Sequence, residues 1–404
     1  MLTLEAARER LLAAIDGPVG EVSSPIETSG GAYLARAPVG LIDLPPFDNS
    51  AMDGWAVRSA DIANPPVTLT VQGRVSAGGV YAGVLAPGCA IRIFTGSPLP
   101  AGADAVVMQE DAEPIETTGV RILDVAKPWE NVRLQGEDLR KGTPLIPAGT
   151  RLEAQHLALL AAAGISAVRL HRTVRVGILP NGSELVASGQ PLPPGGIYES
   201  NGIALADLVA RTGALTRRFD PPRDDLPALQ AALATAFAGS DIVITAGGAS
   251  VGEHDLVKPA FEALGGTVDF WRVALKPGKP FFFGTLPASN GSAQKKYLFG
   301  VPGNPVSAFV TTILLVLPAV RKLLGAAHCE GFTHPGQLAE ELNNPDGRRH
   351  FIRVCCDPQG AVRSSGPQGS HLLNSLAAAN GLVDVPPRTR WPAGTVVQVL
   401  RWSA

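Results

Sequence analysis

Apolar and polar positions change their period several times along this chain, and each change predicts a different kind of element. The stretch "MLTLEAARERLLAAI" winds its apolar residues around Glu5, Arg8, Glu9 and Arg10, which predicts an amphipathic helix over residues 3 to 15. From Gly30 to about Leu123 the pattern shortens. Apolar runs such as "VTLTVQGRV", "CAIRIFTG", "DAVVMQE" and "VRILDV" are broken repeatedly by Pro and Gly, the signature of a β-rich module with tight turns. Residues 153 to 164, "EAQHLALLAAAG", return to a helical period that Gly164 ends, and this helix is expected to pack with the first in a separate layer.

Beyond it, strand and helix patterns alternate. "VRVGIL" precedes "NGIALADLVARTG", "DDLPALQAALATAFAG" precedes "DIVITAGG", "DLVKPAFEALGG" precedes "TVDFWRVAL", and "KKYLFG" precedes "PVSAFVTTILLVLPAVRKLLG". Strands without internal polar alternation, linked by helices, predict a parallel sheet covered on both faces. The end of the chain, with "RRHFIRVCCD", "GLVDVPP" and "TVVQVLRW", reverts to short strands and predicts a small β-barrel or sandwich. Neighbouring Cys355 and Cys356 should point to opposite faces of one such strand.

Composition narrows the function. A chain of 404 residues with 45% hydrophobic content can fill more than one core. Its 34 Lys and Arg against 36 Asp and Glu leave a net charge of -2, so nothing global favours nucleic acid or an anionic membrane. Any anion site must be local. The four cysteines and seven histidines form no C-x-x-C, zinc-type or H-E-x-x-H spacing, which argues against redox and zinc chemistry. The first residues lack a basic start followed by an apolar core, and the run "FVTTILLVLPAV" is short and contains Pro318, so a cytoplasmic protein without a membrane span is expected.

In a sheet of this kind, ligands bind beyond the carboxyl ends of the strands. Two loops stand at such ends. In "TAGGASVGEHD", Gly247, Gly248 and Gly252 let the backbone approach a ligand and Ser250 adds a hydroxyl. In "GVPGNPVSAF", Gly303 borders a helix start that Asn304 can cap and that Pro305 suits, a place for phosphate. Between them "WRVALKPGKPFFFG" carries Arg272, Lys276 and Lys279, either a positioned set of cations or a solvated hairpin. Glu184, Asp224, Asp225, Glu253 and Asp255 fall near the same edge. Asp224 and Asp255 could simply cap helices, whereas several carboxylates beside a phosphate imply a divalent cation such as magnesium. The turn "PPFDNSAMDGWAV" likewise reads two ways, as a surface turn built from Asp48, Asn49, Ser50 and Asp53 or as half of an acidic site completed elsewhere.

The motifs "PPFDNSAMDGWAV", "RIFTGSPLPAGADAVVMQE", "ENVRLQGEDL", "GGASVGEHD", "LKPGKPFFFG", "GVPGNPVSAF" and "GPQGSHLLNSLAAANGL" together resemble the molybdopterin molybdenumtransferase family, related to the E domain of gephyrin, over nearly the whole chain. The resemblance implies a helical linker domain (1–44 and 133–172), a small β domain (45–132), a molybdopterin-binding α/β domain (173–325) and a C-terminal β-barrel (326–404). It also implies a homodimer with shared sites. The implied reaction uses adenylylated molybdopterin, molybdate and Mg2+, releases AMP and yields molybdenum cofactor, with the molybdopterin adenylyltransferase as a candidate partner. Carried over motif by motif, the functional positions are Asp53, Thr95, Glu184, Asp224, Asp255, Lys276, Lys279, Pro302, Pro305 and Ser370, with Glu184, Asp224 and Asp255 as the magnesium or molybdate environment.

Two departures stand out. "NGSEL" replaces the family's "TGDEL", so Asn181 and Ser183 take the places of a threonine and an acid, and Arg272 in "FWR" replaces a lysine. Two competing readings are the preceding adenylylation step, whose enzyme has a similar α/β domain but no counterpart of "DNSAMDGWAV", and a non-catalytic scaffold such as gephyrin forms.

Overall fold

The computed structural model describes residues 1–76, 78–115, 118–248, 256–288 and 294–402. Helix α1 (Leu4–Ala14) starts where the Thr3 hydroxyl accepts from the Ala6 N–H at 3.2 Å. It does not layer with α2 (Ala154–Ala162) as the sequence suggested. Leu4, Ala7 and Leu11 enter the large core of the α/β unit beside Leu314 and Leu315, whereas Leu160 of α2 packs with Ile26, Leu34 and Leu152 in another cluster. Gly17 and Gly20, at φ of +117° and +60°, turn the chain out of the first core. The strand Glu21–Pro25 then pairs antiparallel with Ala167–His171, closing the neck of the N-terminal excursion.

The β-rich module inside that excursion is one six-stranded sheet ordered Ala105–Met108, Gly54–Val57, Cys89–Ile93, Val67–Arg74, Gly119–Ile122, Ala112–Ile115. Apolar clusters cover both of its faces, around Val57 and Leu69 on one and Ile91 and Ile93 on the other.

The central sheet uses β1 (Arg175–Pro180), β2 (Leu215–Arg218), β3 (Ile242–Ala246), β4 (Thr267–Trp271), β5 (Phe282–Leu286) and β6 (Lys296–Val301) in the order 2-1-3-6-5-4. Strands β2, β1, β3 and β6 are parallel. Beyond the expected pattern, β5 and β4 add an antiparallel edge, because "KPGKP" joins them without a helix. Helices α3 (Asn201–Ala210), α4 (Leu226–Ala238) and α5 (Val257–Ala263) cover the faces. The last, α6, runs continuously over Pro305–Leu323 with a π turn at Thr312–Val316. At 19 residues it is longer than its most apolar run suggested and apolar enough to cross a membrane, but 83% of its most apolar 18-residue stretch is buried inside the protein.

The C-terminal strands Arg349–Cys356, Ala361–Ser364, Thr333–Leu338, Val396–Arg401 and Gly381–Val385 pair in sequence, and the last returns to the first, so the barrel is closed. Cys355 is exposed and Cys356 buried, as alternation requires.

Candidate active site

The carboxyl ends of β1, β3 and β6 open into a cleft of about 980 Å³. Asn181, Gly182 and Glu184 line it from the loop after β1, Gly247 and Gly248 from the loop after β3, and Pro302, Gly303, Asn304 and Pro305 from the loop after β6. These loops touch one another. Gly247 N–H donates to Val301 O at 3.1 Å, and Asn181 N–H donates to Ala246 O at 2.8 Å. Gly247 has φ of +94°, and a Cβ there would lie 2.3 Å from Asn181 O, so only glycine allows this approach. Gly248 is fixed similarly, with Val257 Cγ2 2.5 Å from its would-be Cβ.

Glu184, Asp224 and Asn181 are among the oxygen-bearing side chains that line this cleft. The Glu184 carboxylate folds over Gly182, whose missing Cβ would sit 2.6 Å from Oε2. Asp224 Oδ2 accepts the Ser183 N–H at 2.9 Å across the cleft edge. Asp225, not Asp224, caps α4, accepting the Ala228 N–H at 2.7 Å. The capping explanation therefore fails for Asp224. Among the described residues, Asn181 Oδ1 is buried without a hydrogen-bond partner. Ser250, Gly252, Glu253 and Asp255 lie outside the described residues.

At the α6 start, the expected anion site is partly closed by the protein itself. Asn304 Nδ2 donates to Ser370 Oγ at 3.2 Å instead of Asn304 capping the helix, Val306 N–H donates to Ser370 O at 3.1 Å, and Pro305 has no N–H. The Ser370 loop is thus seated on the cleft, with Leu373 in its wall.

Arg272, Lys276 and Lys279 are not gathered at the cleft, although their neighbour Pro280 lines it. Lys276 pairs with Asp346, a partner 70 residues away that holds the cation toward the barrel and lies with its own pKa lowered by that bond. Arg272 and Lys279 have exposed side chains, and their backbones bond Phe281 O and Val273 N within the antiparallel edge.

Asp53 and Thr95 meet in the β module. Asp53 Oδ1 accepts both the N–H and the hydroxyl of Thr95 at 2.8 Å, and these bonds, the backbone one first, hold the exposed carboxyl below its ordinary pKa. The rest of the turn is structural: Asp48 accepts from Gln135 N–H, Asn49 Nδ2 donates to Phe47 O, and Ser50 Oγ donates to Met52 O. Among the described residues, no contact joins Asp53 or Thr95 to the cleft.

Sequence reasoning passed over several contributors. Asn201 Nδ2 donates to Gly303 O at 2.8 Å, and Glu199 Oε1 accepts Gly202 N–H at 2.6 Å, so "ESNG" fixes both the α3 start and the β6 loop. The E-x-x-G spacing before an apolar run could have signalled this. Arg353 offered no such signal. Fully buried in the barrel, it donates from Nη2 to Pro367 O, Gly369 O and Ser375 Oγ at 2.8, 3.2 and 2.8 Å, and so clamps the loop that carries Ser370.

His350, three residues before Arg353, has both ring nitrogens buried and, among the described residues, unpartnered. Burial first, then the Lys276, Arg353 and Arg348 cations, with Asp346 opposing, push it from 6.5 down to about 4. Between those values the unfolded chain binds a proton that the folded one refuses, so stability falls as pH drops through that window. Relative to His350→Leu, the wild type should lose on the order of 2–3 kcal/mol between about pH 6.5 and 4. Denaturant melts of both proteins across that range check this, and parallel curves would refute it.

Comparison with known proteins decides the family. Residues 2–164 match the MoeA N-terminal region (domain I and II), 177–322 a probable molybdopterin binding domain, and 335–402 the MoeA C-terminal region (domain IV). The molybdopterin molybdenumtransferase of Haemophilus influenzae is 36% identical over 385 residues, covering 94% of this chain and 93% of that one. The chain belongs to the molybdopterin molybdenumtransferase family. A relative of the same name from Nostoc sp. is 42% identical over 367 residues, covering 89% of this chain and 83% of its own. The structure of a molybdopterin biosynthesis MoeA protein from Pyrococcus horikosii superposes with a TM-score of 0.83 at 32% identity over 100% of both chains. Within this family framework the cleft, apart from Leu373, falls in the segment matching the molybdopterin binding domain, and Asp53 and Thr95 in the N-terminal region.

Proposed function

We propose that this enzyme is a molybdopterin molybdenumtransferase whose cleft binds adenylylated molybdopterin and inserts molybdenum from molybdate with release of AMP. The observation that carries this reading is the cleft itself, where glycine-lined loops from three strand ends meet Glu184, Asp224 and the orphaned Asn181 Oδ1 in a member of that family. Its volume suits a nucleotide-bearing pterin rather than a small anion.

Hard oxygen donors suit magnesium, and Glu184, Asp224 and Asn181 are the described residues that would hold it. Bound there, Mg2+ would neutralise phosphate charge as the phosphoanhydride is split. The chain's own groups orient the substrate. Gly247, Gly248 and Gly303 admit it to the backbone, Ser370 and Asn304 border its phosphate side, and Lys279, beside the cleft-lining Pro280, supplies a mobile cation. Ser250, Gly252, Asp255, Pro302 and Pro305 complete the proposed set, while Lys276 and Arg272 act from further out.

We take the four-part division stated above as the domain organisation, with Asp53 and Thr95 of one chain completing the cleft of a second in a homodimer. The pterin would come from a cytosolic molybdopterin adenylyltransferase. Purified protein incubated with adenylylated molybdopterin and molybdate should release AMP with Mg2+ present and stop when the metal is chelated. AMP release that persists under chelation would remove the metal from this reading, and no release in any condition would remove the reading.

A further inference from the structure

We propose a second anion site, a cup of about 130 Å³ between the carboxyl-terminal half of α6, the end of α3 and the last barrel strand, which takes a small tetrahedral oxoanion of the phosphate, sulfate or molybdate type. It shares no lining residue with the cleft. Its floor is apolar, from Leu317, Leu400 and Trp402, and its charged groups are Arg211, Arg321 and Arg401.

The charge balance points to an anion. Arg211 is paired with Asp207 at 2.7 Å. Arg321 donates only to a carbonyl, Cys329 O at 3.2 Å, and burial lowers its pKa. Arg401 has its Nε buried with no partner among the described residues. No acidic residue lines the cup among the described residues, and the nearby Glu330 is engaged by Arg8 at 2.7 Å. Among the described residues, two guanidiniums therefore line the cup without a counter-charge, an arrangement that costs stability unless an anion fills it. A guanidinium fork matches two oxygens of a tetrahedral oxoanion at once.

The carboxyl end of α3 carries partial negative charge. Here, though, Val209 O and Ala210 O already accept the N–H groups of Thr212 and Gly213, so those carbonyls are tied up. The cup is also far smaller than the cleft, which excludes a nucleotide or pterin and leaves a single small ion.

Full-length protein titrated calorimetrically with phosphate, sulfate or molybdate, against chloride at matched ionic strength, should show a saturable site per chain that depends on Arg401, distinct from any molybdate bound in the cleft. The anion that binds tightest identifies the source. Arg401→Gln should weaken that site about 10- to 100-fold, the loss of one charge-assisted hydrogen bond. Arg401→Lys, which keeps the charge but not the fork, should fall between, and it serves alone if the Gln variant does not fold. Crystals soaked in tungstate should place the anomalous peak beside Arg321 and Arg401. Absence of saturable binding, affinity unchanged in the Arg401 variants, or a peak confined to the cleft would each overturn the proposal.

Discussion

Asp224→Asn should slow AMP release by about two orders of magnitude or more, the scale on which a preorganised charge acts on a transition state, while the melting temperature stays near that of the wild type. The geometry separates those two effects. An amide at this position can still accept the Ser183 N–H that Asp224 Oδ2 holds at 2.9 Å, so the loop after β1 keeps its anchor. The cap of α4 is untouched because Asp225 provides it. Only the negative charge beside Glu184 and Asn181 is lost. The neighbouring change makes the control: Asp225→Ala should cost about 1 kcal/mol of stability through the lost cap and leave turnover near normal. Steady-state AMP release and thermal melts on the two variants decide the matter. If Asp224→Asn keeps full activity, that carboxylate is a loop anchor and nothing more.

The adjacent pair Asp224 and Asp225 also marks where the sequence stops being readable. Either could precede the apolar run "LPALQAALATAFA", and only the fold shows which one turns inward to the helix and which reaches across to another loop. Strands β1, β3 and β6 and their helices were legible because a buried parallel sheet demands continuous apolar runs, and the glycines at their ends marked the cleft. Strand β2, "LTRR", lies at the sheet edge and lacks such a run, so it passed unseen. Amphipathicity announced α1 but not its neighbour. A face says that something covers it, and the covering helix here begins some three hundred positions later. Lys276 failed for the same reason in polar form, since its partner Asp346 belongs to the approach to the barrel. Arg353 shows the limit most clearly: one arginine in a strand pattern looks like any solvated residue until the loop it clamps folds over it.

Asp53 raises the remaining question, because it is held ionised by Thr95 on a module that makes no described contact with the cleft. Mixing two inactive proteins should answer it. In a two-fold dimer whose sites are each built from the β module of one chain and the α/β unit of the other, a heterodimer of Asp53→Asn and Asp224→Asn chains puts both lesions into one site and leaves the other whole. Random exchange of equal amounts makes half of the dimers mixed, with one intact site in two, so about a quarter of wild-type AMP release should return. Each parent must first be inactive and folded, and exchange is followed with differently tagged chains. The Asp53 change is well suited to this use, since Asn can still accept the Thr95 N–H and hydroxyl and so should preserve the turn while removing the charge. Full exchange without recovered activity would mean that Asp53 serves its own chain or has no part in the reaction.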